Sequence, residues 1–429
     1  MGKIAILTAA VLLATAPSSY SEVPAQSTPE SVRYLDAILG TLAHLEQELP
    51  SISTTAEAIA ERITAGGHLY FSGDFQGFAE EALGRAGGSM YAWHFKYRER
   101  FPEGPDVLVY GSIGLDPEAE VSLMKSAKES GILTVYVGSA DGLAAQIADH
   151  RIATGLPSGA VPIVRVPATG DSICPAGPTA NIAAMWVLTG EMVAAYTRRG
   201  KMPTMWQSIL IPGSNARNRK IRRLAFHDDV EVAAVPSGQL GRDYIAEIRR
   251  CLKGIRSGQM PAIEQAGQIV GGAKAEGNKA WIFVLGHYLS SQFGLPGDPG
   301  VYVDSLATTM DEATIRSAVG NQDVVVYIGY YNFPQLYSGV DDRGEIQYLN
   351  LDFLRDVGKH TVLALGGLEQ KLVTPGERVT LIDGQWRYGD TAVEVPGYDT
   401  GILPPSGVVQ TCVLWMIAAE AELERTKEL

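Results

Sequence analysis

The chain has 429 residues, more than one ordinary hydrophobic core spans, so two domains are expected. With 46% hydrophobic and 19% charged residues, its composition is that of a globular protein. A formal net charge of −13 without a long basic block excludes nucleic acid and anionic membrane as natural partners, and offers no long-range attraction to an anionic substrate.

The N-terminus reads MGKIAILTAAVLLATAPSSYSEVPAQSTPE. Lys3, the apolar run 4–16 and the small residues after it form a secretory-signal pattern, too short for a comfortable membrane span. Residues 1–25 are therefore expected to be a signal peptide and the start of a linker. The mature protein is expected to be periplasmic or extracellular, with no membrane span after cleavage. A buried first strand or helix is the alternative. Apolar residues then recur at helical spacing over 31–65, and Gly66-Gly67 ends the pattern. HLYFSG reads as a strand, FAEEALGRAGG as a helix closed by Gly87-Gly88, and DVLVYGS (106–112) as a buried strand. DPEAEVSLMKSAKESG is an amphipathic helix, ILTVYVGS a third strand and VPIVRVPA a further one, ahead of a helix over 178–197.

The second half repeats this order. A helix over 261–275 leads to strand WIFVLG, strand DVVVYIG follows, and helix LDFLRDVG leads to strand TVLALGG. The stretch DSICPAGPTANIAAMWVLTGE (171–191) then returns as TGILPPSGVVQTCVLWMIAAE (400–420). Pro175 matches Pro404, Trp186 matches Trp415 and Glu191 matches Glu420, each pair 229 residues apart. A unit this large, occurring twice, is a duplicated domain. Continuous apolar strands alternating with helices predict the α/β class: two doubly wound, three-layer α-β-α domains with parallel sheets, in tandem. The expected division is 31–222 for the first, 223–260 between, and 261–429 for the second. Cys174, Cys251 and Cys412 are odd in number and far apart, which predicts reduced, mostly buried thiols.

In open parallel sheets ligands bind beyond the carboxyl ends of the strands. The candidate loops are 72–77, 111–117, 139–142 and 176–181, then 286–291, 329–334, 366–370 and 404–410. Several of these carry a resemblance. AEAIAERITAGGHLYFSGDFQGFAEEALGRAGG, DVLVYGSIGLDP, AKESGILTVYVGS, GDSICPAGPTA and PTMWQSILIPGSNARN, taken in order, resemble sugar isomerase (SIS) phosphosugar-binding domains. The resemblance covers roughly residues 31–222, and the second copy shares it through the internal repeat. It implies a flavodoxin-like fold, a sugar or sugar-derivative ligand, and sites at or near a pairing of domains. Here that pairing lies within one chain, and a homodimer is a further expectation.

The departures bear on chemistry. Where the family reads Gly-His-Ser-His, this chain has Gly73-Asp74-Phe75-Gln76. Where it reads Ser-x-Ser-Gly, this chain has Gly111-Ser112-Ile113-Gly114, and the second copy has Gly329-Tyr330-Tyr331-Asn332-Phe333. Phosphate needs several converging donors. Losing hydroxyls, and placing Asp74 and Asp116 at the opening, predicts that strong phosphosugar binding is lost and that an uncharged sugar suits the aromatic loops better. The ligand-binding candidates are Gly73, Asp74, Gln76, Ser112, Asp116, Thr179, Asn181, Ser290, Ser291, Asn332 and Ser406. Several of these would serve equally as helix caps. If the chain is an isomerase or lyase, His287 and Glu80 are the candidate acid and base. Glu191 and Glu420 either face the cleft or begin the solvated part of each helix. A structural protein with filled clefts is the third possibility. No Gly-x-Gly-x-x-Gly, phosphate-loop Lys or Gly-x-Ser-x-Gly motif follows a strand, and His227, Asp228 and Asp229 read as a charged loop. No cofactor and no metal is expected.

Overall fold

The computed structural model describes residues 29–429 except Gln76, 96–104, Arg223, His287, 305–310, 331–333, 342–345 and 369–375. Two helices open the described chain: α1 (Val32–Gln47) and α2 (Leu49–Thr64). Pro50 in the first turn of α2 cannot continue an earlier helix, so the chain bends there. Strand β1 (Leu69–Gly73) leads to a short helix, α3 (Gly77–Ala82), which stops well before the Gly87-Gly88 expected to end it. Then come β2 (Ala92–His94), β3 (Val107–Gly111), α4 (Pro117–Glu129), β4 (Leu133–Gly138) and β5 (His150–Ala153). These strands form one parallel sheet in the order β2-β1-β3-β4-β5. Gly73 pairs with Gly111, so the loops after β1 and β3 leave the same edge together.

VPIVRVPA does not join that sheet. It supplies β6 (Pro162–Arg165), paired antiparallel with β7 (Ser172–Pro175), ahead of the long helix α5 (Gly177–Arg198). Helices α6 (Ser214–Ile221), α7 (Gln239–Gly258) and α8 (Met260–Ala275) follow. The second half holds β8 (Ala280–Val284), β9 (Val303–Asp304), α9 (Glu312–Ala318) and β10 (Val324–Ile328). A hairpin of β11 (Gln335–Val340) and β12 (Ile346–Asn350) precedes β13 (His360–Leu365), β14 (Val379–Asp383) and the final helix α10 (Ser406–Arg425). LDFLRDVG, expected to be a helix, makes only a five-residue 3-10 turn, Asp352–Asp356, because the inserted hairpin takes the place of a full crossover helix. The second sheet runs β14-β13-β10-β8-β9, all parallel, which is the strand order of the first sheet repeated.

Alternation along the strands sets the layers. Val107 and Val109 of β3, and Val324, Val326 and Ile328 of β10, enter one core with α1, α2, α5, α7, α8 and α10. The intervening residues face separate outer clusters: Leu108 and Tyr110 on the first sheet, Val325 and Tyr327 on the second. The two sheets thus flank a shared helical layer. Helix α5 is buried from Gly177 to Thr197, as a helix apolar around its whole circumference must be.

The repeat is kept in backbone detail. Cys174 and Leu403 both have left-handed φ, 66° and 62°, immediately before the matched prolines. Val161 and Asp390, again 229 apart, have φ of 56° and 53°. The antiparallel pair Val164 with Ile173 recurs as Val393 with Ile402.

Helices α1 and α7 join the halves reciprocally. The Tyr34 hydroxyl of α1 donates to Pro175 O at 3.1 Å, and that of Tyr244 in α7 to Pro404 O at 3.3 Å. The start of α7 docks on Glu191 of α5: Gly238 N–H and Gly241 N–H donate to its carboxylate at 2.7 and 2.9 Å, and the Ser53 hydroxyl at 2.6 Å. The start of α1 docks on Glu420 of α10 through Ser31 N–H at 3.4 Å. These two glutamates are receptors for helix N-termini, where a carboxylate meets the positive end of the helix dipole. No described helix is long and apolar enough to cross a membrane.

Candidate functional site

In the first half the loops after β1 and β3 meet at a carboxylate. Both oxygens of Asp74 accept from Ile113 N–H at 2.9 Å, and Oδ2 accepts from Leu115 N–H at 2.8 Å. These N–H groups belong to the loop after β3, and the chain's own carboxylate occupies them. Glu120, on the helix after that loop, completes the cluster. It accepts the Ser112 hydroxyl at 2.7 Å and is hydrogen-bonded to Asp74. Burial pushes Glu120 up to about 7, with Asp74 adding to the rise, and burial raises Asp74 against the pull of its N–H donors.

A second buried cluster ties this half to α10. Arg85, just beyond α3, donates from Nη2 to Ser406 Oγ at 2.5 Å and lies 3.3 Å from Asp390 Oδ2. Its Nε is 3.1 Å from Glu81 Oε1, and its guanidinium covers the Tyr330 ring at 4.4 Å. Asp390 accepts from the Ser406 hydroxyl at 2.8 Å and from Ser406 N–H at 3.2 Å, capping α10. Every charged member is 2% exposed or less. Two acids share one cation here. Burial therefore raises both, Glu81 to about 7, and the cluster is neutral when it keeps one proton.

The second half keeps an opening at its strand ends. A cleft of about 460 Å³ lies beyond β13 and β14, lined by Arg250, Leu368, Asp383, Gln385, Trp386 and Arg387. Trp386 fits against glycine: a Cβ at Gly366 would lie 2.0 Å from its Nε1. That nitrogen donates to Tyr330 O at 2.8 Å, which ties the loop after β10 to this wall. Gln385 has φ 66°, a strained backbone for a residue with a side chain. Its N–H is held by Asp383 Oδ1 at 2.8 Å and its carbonyl by Arg250 Nη2 at 2.7 Å. Arg387 is exposed, and its guanidinium has no ion pair or hydrogen bond among the described residues. The cleft thus offers cationic, acidic and amide groups beside an indole, a set able to bond several hydroxyls in fixed directions.

The other expected site residues fall as follows. Gly73 closes on Gly111, where a Cβ would meet its carbonyl at 2.7 Å. Asp116 caps α4, accepting Ala119 N–H at 3.0 Å. Thr179 is buried and shares a 2.8 Å hydrogen bond with Tyr34. Asn181 is buried, and its Nδ2 donates to Ser112 O at 2.7 Å. Ser112 and Ser406 are 3% and 0% exposed, their hydroxyls donated to Glu120 and Asp390. Ser290 opens the 3-10 turn Ser290–Gln292, and Ser291 Oγ donates to Tyr288 O at 2.7 Å against Gly77 of the first half. Glu80 is half-buried on α3, one residue before the buried Glu81. Gln76, His287 and Asn332 lie outside the described residues. His227 Nε2 pairs with the Tyr398 hydroxyl at 3.0 Å, and no three described His, Cys, Asp or Glu side chains are placed to hold a metal ion. All three cysteines are free and buried.

Glu81, Arg85, Glu120 and Asp390 were not expected as site residues, and of the second-half cleft only the loop 366–370, through Leu368, was. One signal was present: Asp390 stands where the first copy has Val161, a carboxylate replacing an apolar residue at the repeat offset.

No family model matches the chain, and no curated protein matches it in sequence. Among solved structures it is similar to the C-terminal domain of glucosamine-fructose-6-phosphate aminotransferase from Francisella tularensis. That likeness has a TM-score of 0.50 at 10% identity and covers 93% of this chain and 97% of that one. It is also similar to tagatose-6-phosphate ketose/aldose isomerase from Escherichia coli, with a TM-score of 0.44 at 11% identity, over 93% and 92% of the chains. At these identities the likeness concerns the fold. The chain carries the architecture of tandem SIS-like α/β domains.

Proposed function

We propose that this protein binds a sugar or sugar derivative at the carboxyl end of its second sheet, without a loop-held phosphate. The observation that carries the reading is the open cleft of Arg250, Asp383, Gln385, Trp386 and Arg387, in the position where open parallel sheets take ligands. The fold it shares with the C-terminal domain of glucosamine-fructose-6-phosphate aminotransferase supports the ligand class. Asp74 on the first half's loop supports a ligand without phosphate, because a dianion there would have to displace a bonded carboxylate.

The reading extends to export, supported by Lys3 and the apolar run 4–16, and N-terminal sequencing of the mature protein tests it. A homodimer is part of the same proposal, tested by light scattering. Isomerase or lyase activity is the alternative; turnover that disappears in His287→Ala with binding retained would favour it. A structural role is favoured by one observation: Ser112 and Ser406, the best sequence candidates for ligand bonds, are sealed by Glu120 and Asp390.

The test is a thermal shift with free and 6-phosphorylated hexoses and amino sugars. A ligand at about one hundred times its Kd adds roughly 2.7 kcal/mol of stability. Free sugars are expected to stabilise the protein, and Arg387→Ala to reduce the shift while Ser112→Ala leaves it. A shift lost in Ser112→Ala and kept in Arg387→Ala would move the site to the first half. No shift with any sugar would favour the structural role.

A further inference from the structure

We infer a second ligand site, for a small organic anion bearing a flat ring, in a cleft at the amino-terminal ends of β1 and β2. The cleft measures about 610 Å³, well within the range that holds a one- or two-ring ligand. Its walls are the end of α2 with the turn Gly66-Gly67-His68, the approach to β2 with Tyr91 and Trp93, and the segment after α6 with Arg222, Leu224 and Phe226.

Three independent features define what it would take. The first is aromatic. Tyr91 and Phe226 stack at 6.1 Å with 26° between their planes, and Trp93 stands 59% exposed on the edge strand. Trp93 is the most exposed aromatic side chain among the large exposed hydrophobics, and Leu224, 39% exposed, lines the same cleft. A large indole left in water beside a cavity is a face awaiting a ring.

The second feature is charge. No carboxylate is among the described residues that line the cleft, in a protein of net charge −13. Its cation is Arg222, exposed and without an ion pair or side-chain hydrogen bond among the described residues. A guanidinium free of partners presents a planar fork that fits a carboxylate or phosphate with two parallel hydrogen bonds. The third is His68. Buried Asp106 accepts both its N–H, at 2.7 Å, and its Nδ1, at 3.1 Å. That orients the ring and leaves Nε2 for a ligand atom. Arg222 would hold the anionic group, Trp93 the ring, and His68 a polar substituent.

The probes are benzoate and its uncharged counterpart benzamide, measured by calorimetric titration and saturation-transfer NMR on the full chain. Benzoate is expected to bind saturably and more tightly than benzamide. Arg222→Gln should weaken benzoate about tenfold, as loss of a bidentate charge-assisted pair does, and leave benzamide unchanged. Trp93→Ser should weaken both. Both substitutions are at exposed positions, and unchanged circular dichroism melts would verify folding. Equal affinity for the two probes, indifference of benzoate to Arg222→Gln, or no saturable binding of benzoate would each overturn the site.

Discussion

At Asp74 one carboxylate accepts the N–H groups of Ile113 and Leu115 and is hydrogen-bonded to Glu120. Replacing it by Asn removes a like charge from Glu120 while leaving Glu120 buried. Its titration is therefore expected to fall from about 7 yet stay above the ordinary carboxylate range, read by carboxyl NMR of labelled glutamate. The two buried clusters also set a pH dependence. Glu81, Asp390, Asp74 and Glu120 all have folded values raised above their unfolded ones. A raised group contributes stability that is fully present below its unfolded value and is lost as pH rises through its folded value, here about 7 for Glu81 and Glu120. Glu57, Asp149, Asp323 and Asp399 are depressed, so their contribution is lost as pH falls through the ordinary carboxylate range. Burial depresses His150, His227 and His360, so their contribution grows as pH rises through the ordinary histidine range and opposes that loss. Relative to the wild-type protein, Glu81→Gln should therefore gain melting temperature as pH rises from about 5 to about 8. The same pH profile in Glu81→Gln and wild type would contradict the raised titration of Glu81.

At the scale of elements, α1 and α7 are the joints of the molecule. Each is keyed by a tyrosine to one half and by its N-terminus to the other half's central helix. Glu191→Ala would orphan two buried N–H groups and the Ser53 hydroxyl, a loss of about 3 kcal/mol. Glu420→Ala removes one long bond at a half-exposed site and should cost about 1 kcal/mol or less. Urea midpoints with unchanged slopes would read both; equal costs would mean the docking is not what these glutamates provide. These joints were not legible in the sequence. Glu191 and Glu420 were visible as a repeated pair, but their partners are backbone N–H groups 47 and 389 residues away, which no local pattern carries. Helix α7 lay inside the stretch expected to connect the halves. The strands β2, β5, β9 and β14 are short edge or near-edge pieces, and their apolar content is too small to announce them. By contrast β1, β3, β4, β8, β10 and β13 were legible as continuous apolar runs, because strands covered on both faces need no polar alternation.

At the scale of the whole molecule, one core runs through both halves and both sheets, so a single cooperative unfolding transition is expected. Scanning calorimetry should give matching calorimetric and van't Hoff enthalpies. Two resolved transitions would contradict a shared helical layer. The duplication was legible in sequence down to its offset, and the positive-φ pairs and the repeated ribbon carry it into the backbone. What could not be read is how the copies have diverged: one opening sealed by Asp74, the interface sealed by Arg85, one cleft left open. Sealing depends on which side chain turns into which loop, and that is decided across the fold. The measurement that tests this account most directly is calorimetric titration of the wild-type protein with glucosamine and with glucosamine 6-phosphate. Saturable binding of the free sugar, not improved by the phosphate, is expected. Binding of the phosphorylated sugar alone would mean that a phosphate is still held at the strand ends, and would contradict the account.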